Sequence, residues 1–166
     1  MARFAVKGIE EYALKLSKMG ESAKTIAGKA IYGAADIVAD KIKDEITSLE
    51  AVHDKYNLQS VRKKEKAKLS IAQKKGLLDS FGITKMDKDA RGFHNVKLGF
   101  DGYNSVKTKK YPKGQPNQLI ARVLENGSSH MDAQPFVRPA VNATRKAAKE
   151  EMQKVIDEEC AKIMKK

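Results

Sequence analysis

Any chemistry in this chain would have to start from three histidines, one cysteine and a pair of serines. His53, His94 and His130 are scattered, and none has a second ligand at helical spacing. There is no HExxH and no Cys/His cluster, the arrangements that hold zinc. Cys160 lies late in an amphipathic segment among Met and Ile, where a small core residue is expected. A reactive thiol needs a helix N-terminus or cationic neighbours, and this position offers no helix N-terminus. Ser128-Ser129-His130 sets a nucleophile beside a base, but no GxSxG elbow surrounds it, and adjacency in sequence does not place a triad. Glu125 and Asp132 flank the same loop, and two carboxylates at loop spacing are weak evidence for acid–base work. Gly99-Phe100-Asp101-Gly102 has neither form of phosphate-binding glycine loop. The expectation is a chain with no catalytic residues, no metal site and no cofactor, and therefore not an enzyme.

Charge is the stronger signal. Lys and Arg outnumber Asp and Glu 33 to 21 in 166 residues, for a net charge of +12. The excess is local. Lys55, Arg62, Lys63, Lys64, Lys66, Lys68, Lys74 and Lys75 are opposed over that span only by Glu65, and Lys107, Lys109, Lys110 and Lys113 form a second basic stretch. Such a field favours acidic partners, nucleic acid among them; it also suits a solvated loop surface. Lys63, Lys64, Lys66, Lys68, Lys74 and Lys75 are the candidate basic contact surface. Any nucleic-acid contact would be to backbone without sequence readout, since no helix-turn-helix, zinc-finger or RNA-recognition signature is present. A single cysteine cannot form an intrachain disulfide, which suits a reducing cytosol. No apolar run approaches the roughly 18 residues of a membrane span, and the first residues do not read as a signal peptide.

The elements that must position these residues read as one α+β domain over 1–166. Residues 8–19 predict a short helix with Ile9, Tyr12, Ala13 and Leu16 on one face, stopped by Gly20. Residues 22–49 predict a longer one, with Ile26, Ala30, Ile31, Ala34, Ile37, Val38, Ile42, Ile46 and Leu49 as a wide apolar face. Residues 51–69 are polar, basic and aperiodic, and read as a flexible loop. Ser70 and Gln73 have capping-box spacing and start a short helix through Leu77 and Leu78 that Gly82 would end; the alternative is an extended chain over 78–85. Residues 93–100 predict a strand with His94, Val96, Leu98 and Phe100 on the apolar face, His94 being a hydrogen-bonded core residue. Asp101-Gly102 is a turn signal. Residues 103–115 are either a long connection or an edge-like strand. A helix over 118–125 ends at Asn126-Gly127, and a last amphipathic helix runs over 137–164 with Pro139 in its first turn. The whole reads as two N-terminal helices, a small antiparallel β-sheet with a short helix, and a long C-terminal helix.

The segment 119–140, LIARVLENGSSHMDAQPFVRPA, carries a recognisable pattern. Val123-Leu124-Glu125-Asn126-Gly127 followed by Pro135-Phe136-Val137-Arg138-Pro139-Ala140 resembles the signature of the gene-product-ten family of the HK-ninety-seven type. These are tail-completion or head–tail joining proteins of long-tailed phages and prophages. The family pattern is an apolar pair, Glu, an aromatic, Gly and Thr, a short loop, then Pro-Phe-apolar-Arg-Pro-Ala. Asn126 stands where the aromatic is common and Ser128 where Thr is. The resemblance is close over the last third of the chain and one of pattern elsewhere. It implies a structural neck protein that acts as a homo-oligomeric ring with other phage tail and head-completion proteins. It also implies contact with packaged DNA as one role for the basic surface, residence in the host cytoplasm before assembly and in the virion after it. Glu125, Gly127, Pro135, Phe136, Arg138 and Pro139 are the motif residues. Pro, Phe and Gly carry backbone and packing information, so fold glue is favoured over direct contact, with Glu125 and Arg138 pairing across the loop.

Overall fold

Apolar periodicity and the absence of proline carry the first helix much further than glycine punctuation suggests. The computed structural model describes residues 9–53, 55–57, 63, 65–88, 90 and 92–165, the side chains of 9–18 and 21 apart. Helix α1 runs unbroken over Ile9–Ser48. The two N-terminal helices expected from the sequence are therefore one. Gly20 keeps helical backbone geometry inside it, since a single interior glycine costs only about 1 kcal/mol relative to alanine. The expected face on Ile9, Tyr12, Ala13 and Leu16 lies outside the described side chains. Further along, Ile26, Ala30, Ala34, Ala35, Ala39, Ile42 and Ile46 are buried.

Helix α1 is followed by α2 (Ile71–Ser80), strands β1 (Phe81–Ile83), β2 (Asp87–Lys88), β3 (His94–Asn95) and β4 (Leu98–Phe100), and helices α3 (Asn117–Asn126) and α4 (Val137–Met164). The class is α+β. Helix α4 packs antiparallel along α1: Lys29 meets Glu159 at 2.7 Å, and Gly33, further along α1, lies against Glu151.

The capping box of α2 forms, with Gln73 N donating to Ser70 Oγ at 3.2 Å and Ser70 N to Gln73 Oε1 at 2.9 Å. The helix ends at Ser80, and Gly82 lies inside β1 rather than closing the helix. Strand β1 pairs antiparallel with β4, Phe81 opposite Phe100 and Ile83 opposite Leu98. Strand β2 pairs antiparallel with β3, Lys88 opposite His94. The single strand expected over 93–100 is thus two, in separate two-stranded ladders. The ladder breaks where Thr84 bonds Lys97 through its side chain: Lys97 N donates to Thr84 Oγ1 at 2.9 Å, while Thr84 N still donates to Lys97 O at 2.8 Å. A threonine hydroxyl competing for backbone donors interrupts regular pairing. His94 is half-buried rather than a core residue.

The core gathers Ile42 and Ile46 of α1, Leu77 of α2, Leu124 of α3, Leu69 and Phe136, each at most 1% exposed. Phe100 links the sheet to it, with ring centroids 5.0 Å from Phe81 and 5.9 Å from Phe136. Several of the described residues in 51–69 are tied down. Val52 N donates to Leu69 O at 2.8 Å, and the Asn57 side chain exchanges two bonds with the Lys68 backbone. Residues 54, 58–62 and 64, the centre of the expected flexible loop, lie outside the described residues.

Candidate assembly site at the start of the last helix

A helix that starts Phe-Val-Arg-Pro has no serine, threonine or aspartate at its boundary to accept its first N–H groups. Phe136 is the boundary residue of α4, and its side chain makes no capping bond. Glu125 does this from the preceding helix. Its Oε2 accepts Phe136 N and Val137 N, both at 2.9 Å, and its Oε1 accepts Arg138 N at 3.0 Å. A carboxylate here also faces the positive end of the α4 dipole. Burial pushes the Glu125 carboxyl upward, but the three backbone N–H groups and the Arg138 charge outweigh it, and the pKa lies below the ordinary glutamate value. Arg138 Nε is 3.9 Å from Oε1 with its side chain 70% exposed, so this ion pair contributes little. The expected Glu125–Arg138 pairing is present, yet the backbone of Arg138 matters more than its guanidinium.

The rest of the motif shapes the turn that delivers Phe136. Gly127 has φ +74°, and a Cβ there would lie 3.2 Å from Ala133 N. Left-handed backbone and close approach together require glycine. Gln134 N donates to Leu124 O at 2.7 Å and Ser128 N to Met131 O at 2.8 Å. Ser128 Oγ accepts His130 N and Met131 N, so this serine organises the loop. Pro135 and Pro139 are exposed and stiffen the restart, while Phe136 is fully buried. Beside the corner lies an open groove of about 610 Å³, lined by Ile42, Phe81, Leu98, Phe100, Ala121, Val137 and Val141, with Arg122 and Glu125 among its polar residues.

The six lysines chosen as a contact surface divide. Lys66 pairs with Asp132 of the motif loop, and its neighbour Ala67 donates its N–H to His130 O at 2.8 Å. Lys68 lies over the Tyr56 ring at 5.5 Å. Lys74 donates to Thr47 O and Leu49 O, each at 2.7 Å, so it caps α1. Lys63 and Lys75 are exposed, and Lys64 lies outside the described residues. Sequence reasoning missed the roles of Lys74 and Glu125. The available signal was each helix end that lacks its own cap.

His53 and His130 are exposed and Cys160 is half-buried on α4. Among the described residues no group of three His, Cys, Asp or Glu could hold a metal ion. No described helix is long and apolar enough to cross a membrane. No family model, curated protein or solved structure matches the chain.

Proposed function

We propose that this chain is a structural protein of a phage or prophage virion, acting at the neck in tail completion or head–tail joining by assembling into a ring. On this reading it performs no catalysis and carries no cofactor. The observation that carries it is the convergence of Glu125, Gly127, Pro135, Phe136, Arg138 and Pro139, motif residues on two helices and a loop, into one corner bonded at 2.9–3.0 Å. Every one of these residues either shapes that corner or lies on it. The groove beside the corner is open and largely apolar, the kind of surface a neighbouring subunit can fill. Ring closure requires two different faces per subunit that meet head to tail. Tail and head-completion proteins are the further partners, and the virion is the final location.

The competing reading is a protein that grips nucleic-acid backbone through Lys63 to Lys75. Its support is the net charge; Lys66 and Lys74, however, have partners within the chain.

Sedimentation of the purified chain across concentration and salt tests the neck reading. Closed oligomers, formed alone or with neighbouring tail proteins, are expected. A chain that stays monomeric at every concentration and with those neighbours would overturn ring assembly.

A further inference from the structure

The second basic stretch is built differently from the first. Residues 102–117 fold into an irregular hairpin between the sheet and α3. Asn117 N donates to Gly102 O, Asn104 N to Gln115 O and Gln115 N to Val106 O, at 2.9–3.1 Å. At the tip Thr108 and Tyr111 exchange both backbone bonds, at 3.0 and 3.1 Å. The Thr108 hydroxyl also accepts Tyr111 N at 3.1 Å.

Its base is locked to α2. Asn104 and Asn117 are 4% and 2% exposed and press on Gly76. The Asn117 side chain donates to Asp101 O at 2.9 Å, Asn104 Oδ1 accepts Val106 N at 2.9 Å, and Gln73 donates to the Gln115 side chain at 2.6 Å. On this frame stand Lys107, Lys109, Lys110 and Lys113, all exposed. No Asp or Glu occurs in 102–116. Lys110 is steadied over the Tyr111 ring at 5.6 Å. Like charges gathered on one hairpin with no acidic residue among them repel one another, and a polyanion relieves that repulsion.

We infer that this hairpin is a docking element for the phosphate backbone of duplex nucleic acid. The residue types favour that partner over an acidic protein surface. Protein interfaces draw their affinity from desolvated aromatic or arginine anchors, and the hairpin tip offers lysines, a threonine and a half-buried tyrosine. Lysine point charges on flexible stems are sufficient for counterion release. The hairpin's amides lie at its base, Gln115 engaged by Gln73 and Asn104 and Asn117 buried, and the tip over 107–114 has no Asn or Gln, so binding is independent of sequence. The inference does not rest on the neck reading and moves the nucleic-acid contact away from Lys63 to Lys75.

The test uses the full chain and a short fluorescent DNA duplex of arbitrary sequence, with anisotropy followed between about 50 and 200 mM salt. The Lys107→Gln, Lys109→Gln, Lys110→Gln, Lys113→Gln variant should bind about tenfold or more weakly, with a log–log salt slope smaller by about 3 to 4. The four Lys→Arg replacements should keep binding. Lys24→Gln, Lys43→Gln, Lys85→Gln, Lys149→Gln, equal in charge but on other exposed positions, should keep most of the slope. Equal losses in the two glutamine variants would reduce the effect to net charge and overturn the proposal. So would wild-type binding too weak to depend on salt, or polyglutamate competing as well as duplex. Unchanged melting temperatures establish that the variants fold. Rings whose hairpin ignores DNA overturn this inference alone; DNA binding by a chain that never assembles overturns the neck reading alone.

Discussion

Glu125 sits where helix rules disfavour it. The last turn of a helix attracts cations, and an acid there works against α3. Its partner is the first turn of α4, whose three N–H groups it accepts at 2.9–3.0 Å. Glu125→Ala should therefore cost about 1–3 kcal/mol by stranding those donors, measured by urea denaturation. Glu125→Gln should cost less, since one oxygen remains. The pH dependence has a definite sign. The folded carboxyl titrates below its ordinary value, so its stabilisation is complete above that value and is lost as pH falls through the folded pKa. The gap between wild type and Glu125→Gln should be widest near neutrality and close in acid. Gly76 is held as glycine by its neighbours across the fold. Alanine would suit the helix better by about 1 kcal/mol, but its Cβ would stand 2.6 Å from Asn104 Cβ and 2.8 Å from Asn117 Oδ1. Gly76→Ala should destabilise by about 1–3 kcal/mol net of that gain, and thermal melts check it.

Among the elements, the last turn of α1 and the first turn of α4 are each completed by a side chain from elsewhere in the chain. The last turn of α1 has no basic residue, and Lys74 of α2 reaches its carbonyl groups at Thr47 and Leu49. Lys74→Gln should lower stability by about 1 kcal/mol while leaving duplex anisotropy near that of wild type. A large loss of binding with unchanged stability would instead return Lys74 to a contact surface. The hairpin is the opposite kind of element. Among the described residues its lysine side chains form no ion pair or hydrogen bond that holds the fold, so their replacement should alter binding and spare the melting temperature.

For the whole molecule, the long α1–α4 pair is the frame on which the sheet, α2, α3 and the hairpin are mounted. Toward its far end it is closed by a charge cluster, Glu159 with Lys29 and Lys162, each at 2.7 Å. The hydrogen bonds from Lys162 and Lys29 hold the Glu159 carboxyl down to about 2. Its contribution is whole above the ordinary glutamate range and is lost as pH falls toward 2. At the C-terminal end of α4, hydrogen exchange corrected for the intrinsic pH dependence of amide exchange should therefore hold steady down to the ordinary glutamate range and speed up between there and about pH 2 in wild type. In Glu159→Gln it should be faster at neutral pH and show no such acid step. The stripe Met152, Val155, Ile156, Cys160 and Ile163 is only half-buried against α1, which is why ionic contacts matter more at this end than in the Phe136 core.

Local patterns were legible in the sequence because they depend on neighbours within a few residues. The Ser70–Gln73 box, the 137–164 helix, the turn at Asn126-Gly127 and the α+β class follow from spacing, capping chemistry and apolar period. Gly20 misled because glycine weakens a helix without forcing a stop, and packing of the apolar face elsewhere along α1 outweighs that weakness. The strand over 93–100 misled because one hydroxyl, Thr84, is brought by the fold to Lys97 and takes its bond. What only the tertiary structure decided is who completes whom: Glu125 for α4, Lys74 for α1, Gly76 for Asn104 and Asn117. Those pairings join groups far apart in the chain, and no period or local propensity encodes them. The same holds for the lysines. Composition announced a basic protein, but only folding separated the cations used inside the molecule from the four the hairpin presents outward.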